Sequence, residues 1–289
     1  MERERWLELY GAVERLGRSY HQGVRYSVAA IVAVYLWAVI HDRPIVWACR
    51  RENWVEGFWR GRLPSQSTMS RRLESEPVQQ LLAEAMGLLA NFLPPQDVKV
   101  IDSKPLLVGA HSKDRDAKFG RIRKGIRARG YKLHVVFDGR LIPAAWCVEP
   151  LNKHDTTGAA QLIPQLSPGG YLVGDSAYDS NRLYDLAGEQ GLQLVAPRQK
   201  PKSKGLGHHY QSPYRLRSIQ LLSEPLGREL LAKRTAIERL FSGLTSFGGG
   251  LAPLPAWVRT LPRVRLWVQA KLLINAIRLK NLQPTLAAA

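Results

Sequence analysis

Cysteine is nearly absent from this chain. Only Cys49 and Cys147 occur, far apart and both in apolar company. That pair excludes a disulfide framework and a zinc knuckle, and it predicts a reducing interior. Long apolar runs are missing too. The longest, Tyr26 to Ile40, spans 15 residues, short of the ~20 a bilayer-crossing helix needs, so it predicts a buried helix. The opening MERERWLELYG mixes both charge signs around no apolar core, which argues against a signal peptide. Acids are scarce: 24 Asp and Glu stand against 42 Lys and Arg, for a net charge of +18 and a pI near 10.2. After Glu238 there is no acid at all, while seven bases follow. Such an excess points to a polyanionic partner, because arrayed Lys and Arg release condensed counterions on meeting phosphates.

What is present suits folded units. At 45% hydrophobic content with 8 tryptophans, the 289 residues suffice for two or three structural units with proper cores. Residues 1–95 carry helical patterns at 3–17, 25–41, 44–52, 65–74 and 76–92. Ser65, after the Gly61-Arg62-Leu63-Pro64 punctuation, is a sound N-cap, with Met69 and Leu73 facing inward. Paired with the stretch Val46 to Arg51, this helix reads as the second half of a helix-turn-helix. Gln66 and Ser67 would then reach base edges, and Arg71 and Arg72 phosphates. An ordinary polar surface helix fits the same residues, and the sequence leaves the two readings open. Trp54 and Trp59, in the connection, are expected in the core. Pro94-Pro95 and the onset of strand patterning at Val98 mark the boundary.

From 96 to about 250 the pattern is mixed α/β. Strands are expected at VKVID (98–102), GYKLHVVFD (130–138), LIPAAWCVEP (141–150), YLVGD (171–175) and LQLVAP (192–197). Helices are expected at 156–165, 181–190 and 227–244. Three meandering strands followed by alternating helix and strand is the order of a ribonuclease-H-like sheet flanked by helices. There the first and fourth strands are neighbours, which would set Asp102 beside Asp175 at their carboxyl ends. At about 100° per residue, Leu230, Ile237, Phe241 and Leu244 form one stripe, with Arg234 and Glu238 along its edge. Glu238 is therefore expected within reach of both aspartates. Three converging carboxylates suit two Mg²⁺ ions, hard cations that activate a nucleophile and stabilise a leaving oxygen in phosphodiester chemistry. Mn²⁺ is the expected substitute.

The stretches VIDSKPL, RGYKLHVVFD, NKHDTTGA, LVGDSAYDS and RTAIERLF together resemble the DDE transposases of bacterial insertion sequences, over roughly residues 40–280. The resemblance implies metal-dependent cleavage of transposon ends and transfer of the 3′ hydroxyl into target DNA. It makes Asp102, Asp175 and Glu238 the catalytic, metal-binding triad, and it implies double-stranded DNA as partner, a homodimer on DNA and a cytoplasmic, nucleoid-associated location with no membrane. Relatives often carry Tyr, two residues, Arg, three residues, Glu, six residues, Lys; here those slots hold Leu231, Arg234, Glu238 and Thr245. Arginine and glutamate match, tyrosine and lysine do not, and Arg239 or Lys233 would have to supply the phosphate contacts of the missing pair. Only 62 residues separate Asp175 from Glu238, leaving no room for the β insertion some relatives have there.

Two basic segments complete the reading. Residues 111–130 hold eight Lys and Arg against two Asp and are expected to be a loop that orders on DNA, with Lys113, Arg121, Arg123, Lys124 and Arg127 on phosphates. Residues 197–217, with six Lys and Arg and no acid, are expected to be a second mobile basic loop, its His208 and His209 on the surface. Asp155 reads either as support for the triad or as a helix N-terminal acid, and Asp179 as a helix start. Lys104 is open between a phosphate contact and a solvent-facing lysine. The closing segment 251–289 is expected to be a basic helix over 262–281, packing through Leu266, Val268, Leu272, Leu273, Ala276 and Leu279, with its arginines along DNA or simply closing the fold. The rival functions are another two-metal nuclease on the same fold, and a catalytically silent DNA-binding descendant.

Overall fold

The computed structural model describes residues 2–17, 25–123, 125–199, 205–206, 209–246 and 251–287. Helices α1 (Glu2–Gly17), α2 (Val28–Ile40), α3 (Ile45–Ala48), α4 (Gln66–Arg72) and α5 (Glu76–Ala90) come first. Strands β1 (Val98–Leu107), β2 (Lys118–Arg123), β3 (Ile126–Phe137) and β4 (Ala145–Pro150) follow. Then come α6 (Asp155–Leu162), β5 (Tyr171–Val173), α7 (Asn181–Glu189), β6 (Gln193–Val195), α8 (Pro213–Ser223), α9 (Pro225–Ala232), α10 (Thr235–Ser246) and α11 (Leu261–Ala287). The chain divides into two compact units: Met1–Phe92 with Leu244–Leu251 and Leu266–Ala289, and Leu93–Gly243 with Ala252–Arg265.

In the first unit the apolar run becomes α2, capped by the Ser27 hydroxyl, which accepts from Ala30 N at 3.1 Å. Every residue from Ile31 to Val39 is buried. Trp6, Trp37 and Trp54 meet with ring centroids 4.8 to 5.6 Å apart, and Trp54 and Trp59 are core residues as expected. Ser65 caps α4, with Met69 and Leu73 buried beneath it. Its expected partner, α3, is a single turn of four residues. The Asn53 amide and the Trp54 indole donate to the Trp47 and Ala48 carbonyls, which a further helical turn would have used. No helix among the described residues is long and apolar enough to cross a membrane. α11 runs beyond its expected bounds. Lys271 is buried in it, donating to Val39 O at 3.0 Å and to Asp42 Oδ1 at 2.6 Å, so this cation braces helices rather than lining a surface.

The second unit is built on a six-stranded sheet in the order β2-β3-β1-β5-β6, with β4 also on β3. β1 pairs antiparallel with β3 and parallel with β5. It is a ribonuclease-H-like mixed sheet flanked by helices. On one face α6 and α7 bury Ile101, Val136, Leu172, Tyr178 and Tyr184 in a continuous core. On the other, Leu230 of α9 packs on Val173 and Val195.

Three expectations need correction. Residues 111–130 are not a plain loop: from Lys118 they form the β2–β3 hairpin, whose antiparallel ladder extends the sheet at β3. The 197–217 stretch becomes helix α8 from Pro213 onward, with proline at its first position. Lys200, Lys202, Lys204 and His208 of that stretch, and Lys124 of the other, lie outside the described residues. The helix expected at 227–244 is two helices, broken at Lys233 and Arg234. A phase counted from Leu230 therefore does not carry through to Glu238, since the two segments do not continue one helix.

Candidate active site

Register sets the two aspartates side by side. Val98 lies opposite Tyr171 and Val100 opposite Val173 on parallel strands. β5 ends there while β1 continues to Leu107 past the strand end expected at Asp102; the same alternation sends Asp102 and Asp175 to one face, and the two charges repel. Asp175 begins a short 3₁₀ turn (Ser176–Tyr178) and accepts from Ala177 N at 2.8 Å. The backbone must bend tightly there. A Cβ on Gly174 would lie 2.7 Å from the Tyr178 ring and 3.1 Å from Ile101, so only glycine admits the buried Tyr178 beneath the acids.

Asp102 feels this crowding. Burial pushes its carboxyl up to about 6, with Asp175 and Asp155 adding to the rise. The Ser103 N–H at 2.7 Å and the nearby Arg234 guanidinium oppose it. This is a carboxylate held short of countercharge.

Behind it, on the α6 face, lies a polar chain of which only Asp155 stood out in the sequence. Ser103 Oγ donates to Asp155 Oδ1 at 2.6 Å, and Lys132 Nζ donates to the same oxygen at 3.1 Å and to Lys153 O at 3.0 Å. Although burial works against it, those hydrogen bonds and the lysine charge hold the Asp155 carboxyl below its usual range. His134 is fully buried between Glu149, 3.6 Å from Nε2, and Asp155, 3.9 Å from Nδ1. Burial pushes its imidazole down to about 4. Gly158 makes room for it, since a Cβ there would meet the ring at 2.4 Å. The signal for these residues was Lys132 and His134, two apart among the apolar residues 131–137 and so on one face of β3. Asp155 stands in the first turn of α6, where it also holds Ser103.

Glu238 is placed differently. It sits in the first turn of α10 with its side chain 63% exposed, Oε1 4.0 Å from Arg234. Among the described residues no three His, Cys, Asp or Glu gather as a metal site. The structure thus brings Asp102 to Asp175 and Arg234 to Glu238, and leaves Glu238 facing outward. Lys104, on the Asp102 face, holds its ammonium 5.5 Å over the Phe241 ring of α10. Gln66, Ser67, Arg71, Lys113, Arg121, Arg123, Arg127 and Arg239 are exposed, and Arg72 and Arg234 half-buried. Arg129, in the same basic run, turns inward, donating to the Ala117, Ser112 and Asp114 carbonyls. Asp179 is no mere helix start: it grips Arg215 of α8 at 2.7 and 2.8 Å. His209 is exposed.

The family model described as "Transposase DDE domain" matches residues 93–260, which spans both aspartates, Glu238 and the whole sheet. No curated protein and no solved structure matches the chain.

Proposed function

Because the chain belongs to the transposase DDE-domain family, we propose that it cleaves DNA at the ends of an insertion sequence and joins the freed 3′ hydroxyl to target DNA. The reaction is metal-dependent, its substrate is double-stranded DNA, and the working unit on DNA is a homodimer. One observation carries this reading: Asp102, midway along β1, and Asp175, two residues past the end of the parallel neighbour β5, lie close enough to repel, with Asp102 short of countercharge.

That donor set fits a hard divalent cation. Two carboxylates, one inside β1 and one capping the turn after β5, the first raised to about 6 by burial and its acidic neighbours, would be relieved by Mg²⁺ or Mn²⁺. Bound there, a pair of such ions supplies an activated water and a stabilised leaving oxygen. The protein's own part is positional. β1 and β5 fix Asp102 and Asp175, and the Ser103–Asp155–Lys132 hydrogen bonds fix the backbone behind Asp102. By its place in the motif Glu238 is the third carboxylate. Since it leans on Arg234, a DNA phosphate taking over that guanidinium frees it to turn inward. Gln66, Ser67, Arg71 and Arg72 of α4 are proposed as end-recognition residues, and Lys113, Arg123, Lys124 and Arg239 as phosphate contacts.

The test uses purified protein, Mg²⁺ or Mn²⁺, and duplexes carrying the inverted repeats that bracket the gene. Wild type cleaves at the repeat end, while Asp102→Ala, Asp175→Ala and Glu238→Ala each lose on the order of a thousandfold or more. A variant that keeps full cleavage removes its residue from the triad. Wild type that binds the ends and never cuts them leaves the silent DNA-binding descendant as the better reading.

A further inference from the structure

Register places more than the two acids on one sheet face. Across β1 and β3, Asp102 lies opposite Val135, Lys104 opposite Leu133 and Leu106 opposite Tyr131. Across β2 and β3, Phe119 lies opposite Arg129 and Arg121 opposite Arg127. Directly opposed residues share a face, and faces alternate along each strand. Asp102, Lys104, Phe119, Arg121 and Arg127 therefore all belong to the same face. The other face is filled by the core under α6 and α7.

The middle of the acid-bearing face is covered by the turn 252–260. Leu254 N donates to Leu107 O at 3.0 Å, which fastens the turn to the end of β1. Tyr131 donates from that face to Asp114 Oδ2 at 2.7 Å, and the same oxygen accepts from Thr260 N at 3.0 Å. Leu261 N donates to Asp116 Oδ2 at 2.8 Å. From the turn so held, Trp257, 41% exposed, and Arg259 project outward. At the far end Phe119 is 58% exposed beside exposed Arg121 and Arg127. The cover thus presents the same pairing of an aromatic with a cation as the bare strands beyond it.

From these placements we infer that the acid-bearing face is a track for one DNA duplex, running from Asp102 past Lys104, over the Trp257–Arg259 turn, to the β2–β3 hairpin tip. The inference rests on the proposed reading of the acids as the cleavage site. Arg127 lies eight residues along β3 from the position opposite Asp102, which at ~3.4 Å per residue is at most about 27 Å. At ~3.4 Å per base pair that is about 8 base pairs. The hairpin arginines would therefore hold phosphates about 8 base pairs from the bond that is cut. Phe119 and Trp257 would supply apolar contact to sugars or thymine methyls. Lys118 alternates to the opposite face and would take no part.

The test uses the full chain and a fluorescent 40-base-pair duplex of mixed sequence, with affinity measured across a salt series in metal-free buffer. R121A/R127A lowers the slope of log K against log [salt] by about 1.8, or ~0.9 for each phosphate no longer neutralised. K118A, removing a charge from the other face, leaves the slope unchanged. F119A and W257A weaken binding several-fold without changing the slope. The track is overturned if the double variant keeps the wild-type slope, or if K118A lowers it as much per charge. On an end that wild type cleaves, phosphate-ethylation interference about 8 base pairs from the cut should vanish in the double variant. Interference confined to the few base pairs around the cut overturns the track while leaving the cleavage reading intact. Failure of wild type to bind duplex DNA sinks both.

Discussion

Asp102 and His134 shift stability in opposite senses as pH falls. The Asp102 carboxyl, raised by burial to about 6 from an ordinary 3.8, makes the folded protein bind its proton more tightly than the unfolded chain. It therefore adds stability as pH falls from about 6 towards 4. His134, pushed by burial down to about 4 from 6.5, does the reverse, and stability is lost as pH falls through the same window. Each displacement corresponds to roughly 3 kcal/mol, so the two nearly cancel. Urea unfolding of metal-free protein should thus show little change from these groups between pH 6.5 and 4.5. D102N should uncover a loss of about 2–3 kcal/mol on acidification, and H134L a gain of similar size. A flat profile for D102N would mean that His134 is not held neutral. The residues differ in how far sequence could reveal them. An acid ending a β-branched run, such as Asp102, stands out in one dimension. The Ser103–Asp155–Lys132 contacts join positions up to 52 apart, and only the fold closes such a distance.

At the scale of elements, the turn 252–260 is held by few bonds, and Asp114 makes the critical ones. Its buried carboxylate accepts from Tyr131 Oη, Thr260 N and Asp116 N. Asp114→Ala would strand those donors and should cost roughly 2–4 kcal/mol, read as a lower urea midpoint. Asp114→Asn, which keeps an acceptor oxygen, should cost less. An alanine variant as stable as wild type would show that the turn is fastened elsewhere. Most elements were legible as patterns: α2 from its apolar run, α4 from Ser65, β1 from its β-branched start, and β4, β5 and β6 from short apolar runs. The β2–β3 hairpin was not. Its charges imitate a solvated loop, because hairpin residues beyond the packed sheet keep both faces wet, and strand alternation then carries no apolar signal. The break at Lys233 and Arg234 was equally hidden, since both flanking segments are good helix formers and no proline or glycine marks the joint.

For the whole molecule, the proposed function joins the net charge of +18, suited to a polyanion, to two neighbouring acids, suited to a divalent cation. Mg²⁺ should therefore stabilise the protein in the absence of DNA. At a hundred times its dissociation constant the gain is about 2.7 kcal/mol, visible as a higher melting temperature that D102N and D175N abolish. An equal shift in those variants would place the cation elsewhere. The sequence by itself determined the mixed α/β class, the start of β1 and the position of Asp175 just past β5, the buried α2 and the strongly basic charge, because periodicity, apolar patterning and net charge are written locally; that β1 runs on past Asp102 to Leu107 was not legible. Only the tertiary structure decided that Asp102 and Asp175 come close enough to repel, that Glu238 faces outward against Arg234, and that the hairpin arginines share the face of Asp102. Those facts depend on strand pairing, register and the relative phase of separate helices, none of which any single stretch of chain can encode.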